Sequence, residues 1–150
     1  MMLVDRSASV LSASPEAVAQ VRHLEHEVLK LPQVPITTEH TLHAGLYART
    51  IRIPAGVLLT GALIRIPTLL ILDGEVVVYA AEGPVHLSGH HVLRGEVGRK
   101  QAFLALADTA MTMVFPTAAT TIEHAENEFT DEAERLCSRR EGAVNTMKES

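Results

Sequence analysis

The stretch PAGVLLTGALIRIPTLLILDGEVVVY, residues 54–79, decides the fold class of this sequence. Val, Ile and Leu dominate it, and such residues favour strands over helices when turn residues divide them into short runs. Turn residues interrupt it at three places: Gly61, Pro67 and Asp73-Gly74. Asp-Gly between two apolar runs is a strong signal for a tight hairpin. We therefore predict three strands, at residues 57–66, 69–72 and 75–79.

The same texture continues outward over residues 36–115. Turn residues recur at intervals of roughly 8–12 residues, which is typical of a sandwich or barrel of short strands. Glu82-Gly83-Pro84 predicts a further turn, and Phe103, Leu104, Leu106 and then Met111, Met113, Phe115 predict two last strands. Because no connection is long enough for a parallel crossover, we expect antiparallel sheets.

Helical patterns flank this region on both sides. Ser14-Pro15-Glu16 combines an N-cap residue, a proline at the first helical position and an acid in the first turn, so a helix is predicted at 15–30. Apolar residues at helical spacing predict one helix or two short ones at 122–136. The expected division is an N-terminal arm and amphipathic helix (1–35), a β-barrel (36–117), and a C-terminal helix with a flexible tail (118–150).

Composition excludes several classes of protein. The chain has 150 residues, a formal net charge of −5 and only 3% aromatic residues. An acidic chain with few aromatic residues lacks the positive charge and the stacking surfaces that nucleic acids require. The N-terminus carries Asp5 and Arg6 and no long apolar run, so it does not resemble a signal peptide, and no apolar run is long enough for a membrane span. We expect a cytoplasmic protein.

Two smaller features are interpreted as structural. Cys137 is the only cysteine, which excludes an intramolecular disulfide, and because no partner His is evident we expect a structural thiol at the apolar edge of a helix. The only basic cluster, residues 94–100, is interrupted by Glu96 and is expected to be a solvated loop.

The turn spacing, with Pro54-Ala55-Gly56 before a strand and a glycine-rich stretch before the last strand pair, resembles the cupin family. Cupins are jelly-roll barrels in which three His and one Glu, carried on two motifs, bind a divalent metal. Aligning both motifs on this chain places the following residues at the ligand positions: Ala62, Ile64, Thr68 (or Leu69) and Gln101. Aliphatic side chains offer no lone pair and neutral hydroxyls or amides bind metals weakly. The resemblance therefore implies a cupin-like barrel whose standard metal motifs are degenerate.

A narrower resemblance lies in GLYARTIRIPAGVLLTG, residues 45–61. This segment is similar to the opening of small cupin-like proteins of tailed phages and prophages. Where those proteins continue with His, Lys, an acid and another His, this chain has Ile64, Arg65, Pro67 and Thr68. Such relatives generally lack an assigned activity, so the resemblance implies a fold more than a function.

The remaining polar residues leave two kinds of site open. Arg49, Arg52 and Arg65 lie in predicted strands, where we expect them to be exposed. Alternatively, a metal-free lumen with Tyr47, Arg65 and Gln101 near it offers groups for a small anionic ligand. His86 faces either solvent or the lumen, and a non-standard metal site would combine it with two further histidines, one each from the pairs His40/His43 and His90/His91.

The favoured hypothesis is a metal-free, cupin-like binding or assembly protein without catalysis or cofactor. Strands that are apolar on both faces need cover on both faces, so a homodimer or higher oligomer is expected. The alternative is a small-molecule-binding protein or metalloenzyme that uses the non-standard His set at the barrel mouth. A third possibility is a phage or prophage accessory protein that engages another protein.

Overall fold

The computed structural model describes residues 10–11, 14–80 and 83–149, and the chain is mostly β in these ranges. Nine strands are formed within these described ranges: β1 Val10–Leu11, β2 Thr37–His43, β3 Leu46–Ile53, β4 Leu58–Thr60, β5 Thr68–Ala80, β6 Gly83–Gly95, β7 Ala102–Ala105, β8 Thr109–Pro116 and β9 Val144–Glu149. Two α-helices, α1 Pro15–Val28 and α2 Ile122–Phe129, are followed by two 3₁₀ turns, Ala133–Arg135 and Cys137–Arg139. Of the predicted strand 57–66, only β4 is extended.

One long antiparallel ribbon forms the body of the fold. Strand β3 pairs with β8, β4 with β7 and β5 with β6. The pairs are therefore nested, with β5 and β6 innermost in the sequence and β3 and β8 outermost. The register is continuous from Leu46 opposite Pro116 to Thr60 opposite Ala102. The ribbon is then folded over, because β5 also pairs with β8 and β7 of the opposite arm. Nested pairs rolled onto themselves are the topology of a jelly roll, which confirms the predicted fold class.

Gly74 lies where β5 changes partner, from β8 up to Asp73 to β7 from Val76 onward. Its φ is +146°, and a Cβ there would lie 2.5 Å from Oγ1 of Thr109. Glycine is therefore required for the close approach of two strands at a corner of the roll. The prediction of a hairpin at Asp73-Gly74 is wrong, because both residues continue β5.

The chain reversal between β5 and β6 falls after Ala80, which pairs with Gly83. Residues 81–82 lie outside the described ranges, and residues 83–84 of the predicted 82–84 turn already belong to β6. Antiparallel pairing holds within the roll, but the terminal strands differ from the prediction: β1 runs parallel to β6, and β9 runs parallel to β2.

Helix α1 forms as its local signals indicate. Oγ of Ser14 accepts a hydrogen bond from the backbone N of Ala17 at 3.1 Å, and Pro15 occupies the first turn. The helix ends at Val28, two residues before the predicted end. Val21 and Glu25 are buried against the roll, so that a carboxylate lies on the apolar face of the helix.

The C-terminal segment is more structured than predicted. Helix α2 ends at Phe129, before Thr130, and the two 3₁₀ turns carry the chain back toward the sheet. Residues 144–149 then form β9, so the expectation of a flexible tail is wrong for this part of the chain. The expected flexible arm at residues 1–13 falls outside the described ranges except for Val10 and Leu11.

The core of the roll is largely aliphatic, with one aromatic cluster at the end covered by α2. Tyr47 and Phe115 pack edge to face at 5.4 Å between ring centroids, and Phe129 joins both rings from α2. Neither described helix has the length and hydropathy of a membrane span.

Candidate functional site

A cavity of about 100 Å³ lies inside the roll, between the sheet and the terminal segments. Its wall is mainly apolar and includes Ile51, Leu59, Leu70, Phe103, Met111 and Met113. Phe129, Leu136 and Cys137 close it from the C-terminal side. Binding cavities for small molecules commonly combine such an apolar wall with a few polar groups that orient the ligand.

Arg99 is the first polar group, and only 4% of it is exposed. Its Nη1 donates to the carbonyl of Glu96 at 3.0 Å, and its Nη2 donates to Oγ1 of Thr68 at 2.6 Å and lies 3.9 Å from Sδ of Met113. All these partners are neutral, and no carboxylate in the described part of the chain pairs with it. Burial lowers the pKa of Arg99 to about 10, so the guanidinium is still charged at neutral pH.

Gln101 is the second polar group and follows Arg99 by two residues, so both face the cavity along the extended chain. Gln101 is 4% exposed. Neither its amide nitrogen nor its amide oxygen has a hydrogen-bond partner among the described residues. Because a buried amide without partners costs free energy, such a group is rare in a folded protein and calls for an explanation.

Arg49 also contributes to the cavity wall, but its charge is paired. Its Nη1 donates to Oε2 of Glu126 at 2.7 Å and its Nη2 donates to Oγ of Ser138 at 3.0 Å. Burial raises the pKa of Glu126, but hydrogen bonds from Ser138 and Arg139 and the charge of Arg49 lower it by more, so it lies below its ordinary value. This pair joins β3 to the C-terminal segment, and the expectation that Arg49 is exposed is wrong.

Tyr47 and His40 extend this paired cluster away from the cavity. Nδ1 of His40 lies 2.7 Å from the Tyr47 hydroxyl, and its Nε2 lies 2.7 Å from Oδ1 of Asn145 on β9. A neutral imidazole with its proton on Nε2 satisfies both contacts, since it then accepts from Tyr47 and donates to Asn145. Burial is the main cause that lowers the pKa of His40, which favours this neutral form.

A network of charges closes the other side of the cavity. Nζ of Lys100, on a residue that is 2% exposed, lies 3.0 Å from Glu25 of α1 and 3.6 Å from Glu132. Arg135 reaches both carboxylates from the exposed side, and Arg22 pairs with Glu132 at 3.0 Å. Glu25 and Arg135 also line a surface groove outside α1. They therefore line both the cavity and the groove, and α1 with the first 3₁₀ turn forms the rim of the cavity on this side.

The structure distributes the four predicted ligand-binding residues unevenly. Gln101 lines the cavity, whereas Tyr47 is buried beside it within the paired cluster. Arg65 lies on the outside of the roll, where it donates to the carbonyl of Glu128 and pairs with Asp131. His86 is exposed on the outer face, with Nε2 2.7 Å from Oε2 of Glu75. Arg65 therefore has the exposed position that was favoured for it, and His86 takes the solvent-facing one of its two expected positions, so neither joins Gln101 in the cavity wall.

The four residues that the resemblance places at metal-ligand positions lie around this cavity. Ala62, Ile64 and Gln101 line it, and Thr68 holds the Arg99 guanidinium. Two aliphatic side chains, a hydroxyl and an amide do not make a donor set for a divalent cation. The cupin-type metal therefore does not fit these four residues.

The non-standard His set is not brought together either. His40 is buried near β9, whereas His86 and His90 are exposed on β6. Over the ranges that the structure describes, no group of three or more His, Cys, Asp or Glu side chains is arranged to hold a metal ion.

Sequence reasoning missed the most informative groups. Arg99 and Lys100 belong to the basic cluster that was expected to be a solvated loop, yet both are buried. One signal was present: Arg99, Gln101 and Phe103 alternate, so a buried Phe103 places the other two on the same inner face. Burial of Lys100 has no such signal, because its partner Glu25 lies on α1, far away in the sequence.

No family model and no curated protein matches the chain. Among solved structures, the chain is similar to a cupin superfamily protein from Desulfitobacterium hafniense DCB-2, with 14% identity over 58% of this chain and 84% of that one and a TM-score of 0.47. It is also similar to ectoine synthase from P. lautus (16% identity, 66% and 76% coverage, TM-score 0.49). A third is a cupin domain from Bordetella pertussis Tohama I (10% identity, 59% and 99% coverage, TM-score 0.47). These likenesses concern the fold, and no ligand or activity is transferred from them.

Proposed function

We propose that this protein binds a small organic molecule inside the jelly roll and acts by binding, without a metal. The observation that carries the proposal is the cavity, whose apolar wall contains two buried polar groups: Arg99, which pairs with no carboxylate among the described residues, and Gln101, whose amide has no hydrogen-bond partner there. A folded chain gains nothing from such groups by themselves, since buried charges and amides are stabilised by partners. A ligand that supplies those partners gives both residues a role.

The contacts of the other polar groups favour binding over catalysis. Sγ of Cys137 lies 3.8 Å from Thr38 and 3.7 Å from Arg49, and no histidine in the described part of the chain lies beside it to act as a base. Arg49, Glu126 and Lys100 are each occupied by an ion pair within the protein. The cavity thus presents groups that hold a molecule rather than a nucleophile with its base.

The covering charges supply a route for the ligand. Arg135 is largely exposed and bridges Glu25 and Glu132 at distances of 3.4–3.8 Å. Surface ion pairs of this kind are weak and rearrange readily. A local movement of Arg135 and of the end of α1 connects the cavity with the outer groove, without unfolding of the sheet.

The test is a cavity-filling variant with a matched control. Ala62→Leu adds volume at a residue that lines the cavity, whereas Ala48→Leu adds the same volume on the outer face of β3. Saturation-transfer NMR with a panel of small organic acids, amides and alcohols should detect binders for the wild type and for Ala48→Leu, and lose them in Ala62→Leu. If no compound binds the wild type, or if both variants bind equally, the proposal is wrong.

A second candidate function, self-assembly, is favoured by one surface. On the outer face of the sheet, Leu69 is paired with Val114, and Ile71 is paired with Val92. Leu69 is 41% exposed and Val92 is 55% exposed, and none of the described terminal segments covers them. A second copy of the chain would bury this patch, as proposed for a homodimer.

Sedimentation velocity at micromolar concentration tests the assembly. A dimer should form with the wild type and dissociate in Val92→Lys, while His86→Lys, on the same strand, should remain dimeric. A wild-type monomer would contradict the assembly. The cytoplasmic location and the phage or prophage resemblance remain predictions, which the genomic neighbourhood of the coding sequence can test.

A further inference from the structure

The buried cations of this protein are not equivalent. Arg49 lies 2.7 Å from Glu126 and Lys100 lies 3.0 Å from Glu25, so each carries its own counter-charge. Arg99 is equally buried, but its described partners are a carbonyl, a hydroxyl and a thioether. A buried charge is stabilised chiefly by an opposite charge. Arg99 therefore differs from the other two in having a positive charge that the described residues do not neutralise.

The neutral contacts hold the guanidinium in a defined position. It packs against the backbone at Gly95, where a Cβ would lie 2.5 Å from its Cζ. Thr68 and the Glu96 carbonyl accept two of its five N–H groups. Further N–H groups are thus left without an oxygen acceptor in the described part of the chain. Such a fixed guanidinium is suited to a planar anion, because its N–H groups match two carboxylate oxygens.

Gln101 provides independent support for a ligand at the same place. Its amide is buried, lines the same cavity and has neither a donor nor an acceptor partner among the described residues. An amide offers both hydrogen-bond donors and an acceptor, so it can receive a second oxygen or a hydroxyl of the same molecule. Because the amide is neutral, Gln101 adds no charge beside Arg99, and the buried cations Arg49 and Lys100 in the same wall are each paired with a carboxylate.

We propose that the cavity binds a small monocarboxylate, with its carboxylate paired to Arg99 and its apolar body between Phe103, Leu59 and Met111. This inference rests on the proposed binding function and specifies its ligand class. One negative charge balances one guanidinium, whereas a phosphate would bring excess charge into an apolar wall. The volume of about 100 Å³ is of the same order as an engineered apolar cavity of roughly 150 Å³ that holds benzene, so it suits a small molecule with a short branched body.

The probes are 3-methylbutanoate and its neutral analogue 3-methylbutanamide, titrated into the full-length protein by isothermal calorimetry at neutral pH. The acid should bind about tenfold more tightly than the amide, because the charge-assisted pair forms only with the acid. In Arg99→Met this preference should disappear, while the affinity for the amide should stay within about twofold. Arg52→Met, which removes an exposed arginine paired with Glu39, serves as the control and should keep the preference.

A second variant protects the test against misfolding of Arg99→Met. Gly95→Ala leaves the arginine in the chain but displaces its guanidinium, so it should weaken binding of the acid and leave binding of the amide nearly unchanged. Equal binding of acid and amide to the wild type would overturn the carboxylate assignment and leave the binding function standing. Equally tight binding of inorganic phosphate would also overturn it. If neither probe nor any member of the wider panel binds, the proposed function fails together with this inference.

Discussion

Two buried arginines, Arg49 and Arg99, line the same cavity, and the protein treats them in opposite ways. Arg49 is surrounded by Glu126, Ser138 and the Tyr47 hydroxyl. Burial lowers the pKa of Arg49, but its neighbours Tyr47, Cys137 and Glu126 raise it by more, so it lies above its ordinary value. Around Arg99 only burial acts on the pKa, and it lowers the pKa to about 10.

The difference teaches how to separate structural from functional charge in one cavity. A paired arginine joins distant segments, here β3 and the C-terminal segment, and its removal leaves a buried carboxylate without its main partner. An arginine that has only neutral partners does not tie distant segments together by an ion pair, and its buried charge costs free energy. Its presence is therefore better explained by a ligand that it binds. Changes to either arginine or its partners therefore test this contrast.

The largest effect is expected for Arg49→Met. It leaves Glu126 buried with only Arg139 and Ser138 as partners, so the free energy of unfolding should fall by about 3–5 kcal/mol. Urea unfolding followed by circular dichroism measures this change. The double variant Arg49→Met/Glu126→Gln should recover part of the loss, because it also removes the carboxylate charge. A loss below about 1 kcal/mol would show that the pair is not structural.

The second-largest effect is expected from a lower pH, which should reduce the free energy of unfolding through the paired cluster that contains His40 and Glu126. The folded-state pKa of His40 lies below its ordinary 6.5, and that of Glu126 below its ordinary 4.5. The unfolded chain therefore binds protons more readily, and stability should be full above pH 6.5 and decrease as the pH falls, first through His40 and then through Glu126.

The measurement is the free energy of unfolding between pH 7 and pH 5, in steps of about half a unit. His40→Gln should flatten the slope in this range, and His86→Gln, which changes an exposed histidine, should leave it as in the wild type. A slope that survives in His40→Gln would contradict the assignment.

Arg99→Met should have a much smaller effect on stability. The variant loses two hydrogen bonds to neutral groups but also removes an unneutralised buried charge, so the free energy of unfolding should change by less than about 1 kcal/mol or increase. Urea unfolding under the conditions used for Arg49→Met allows direct comparison. A loss as large as that of Arg49→Met would break the contrast between the two arginines.

Gly95→Ala is the mildest change and sharpens the same contrast. The added methyl meets the far end of a flexible side chain, which can move aside, and alanine restricts the unfolded chain more than glycine does. Stability should therefore change by less than about 1 kcal/mol. The 3-methylbutanoate affinity should fall in the wild-type background and remain unchanged in the Arg99→Met background. If the affinity falls in both backgrounds, the effect of Gly95→Ala does not depend on Arg99.

The fold was more predictable from sequence than the site. On β8, Met111, Met113 and Phe115 point into the core of the roll, as their alternate spacing indicates. This could be predicted because alternation depends only on the geometry of a single strand. The hairpin prediction at Asp73-Gly74 failed because Gly74 is needed for the close approach to Thr109. In the sequence, an Asp-Gly pair with this role looks the same as an Asp-Gly pair in a hairpin turn. The site was misread for a related reason. Arg65 and Arg99 look alike in sequence, and only the rolled sheet places one outside and the other inside.

Local interactions, which can be inferred from the sequence alone, set the start of α1 at Ser14-Pro15, the turn at Pro54-Ala55-Gly56 and the class of fold, a barrel of short strands. The tertiary structure decided which charges are buried and which are neutralised. Arg49 meets Glu126 and Lys100 meets Glu25 across large separations in the chain, whereas Arg99 meets no carboxylate in the described part. Burial and pairing are properties of surfaces brought together by folding, so the contrast between the two arginines arises only in the folded chain.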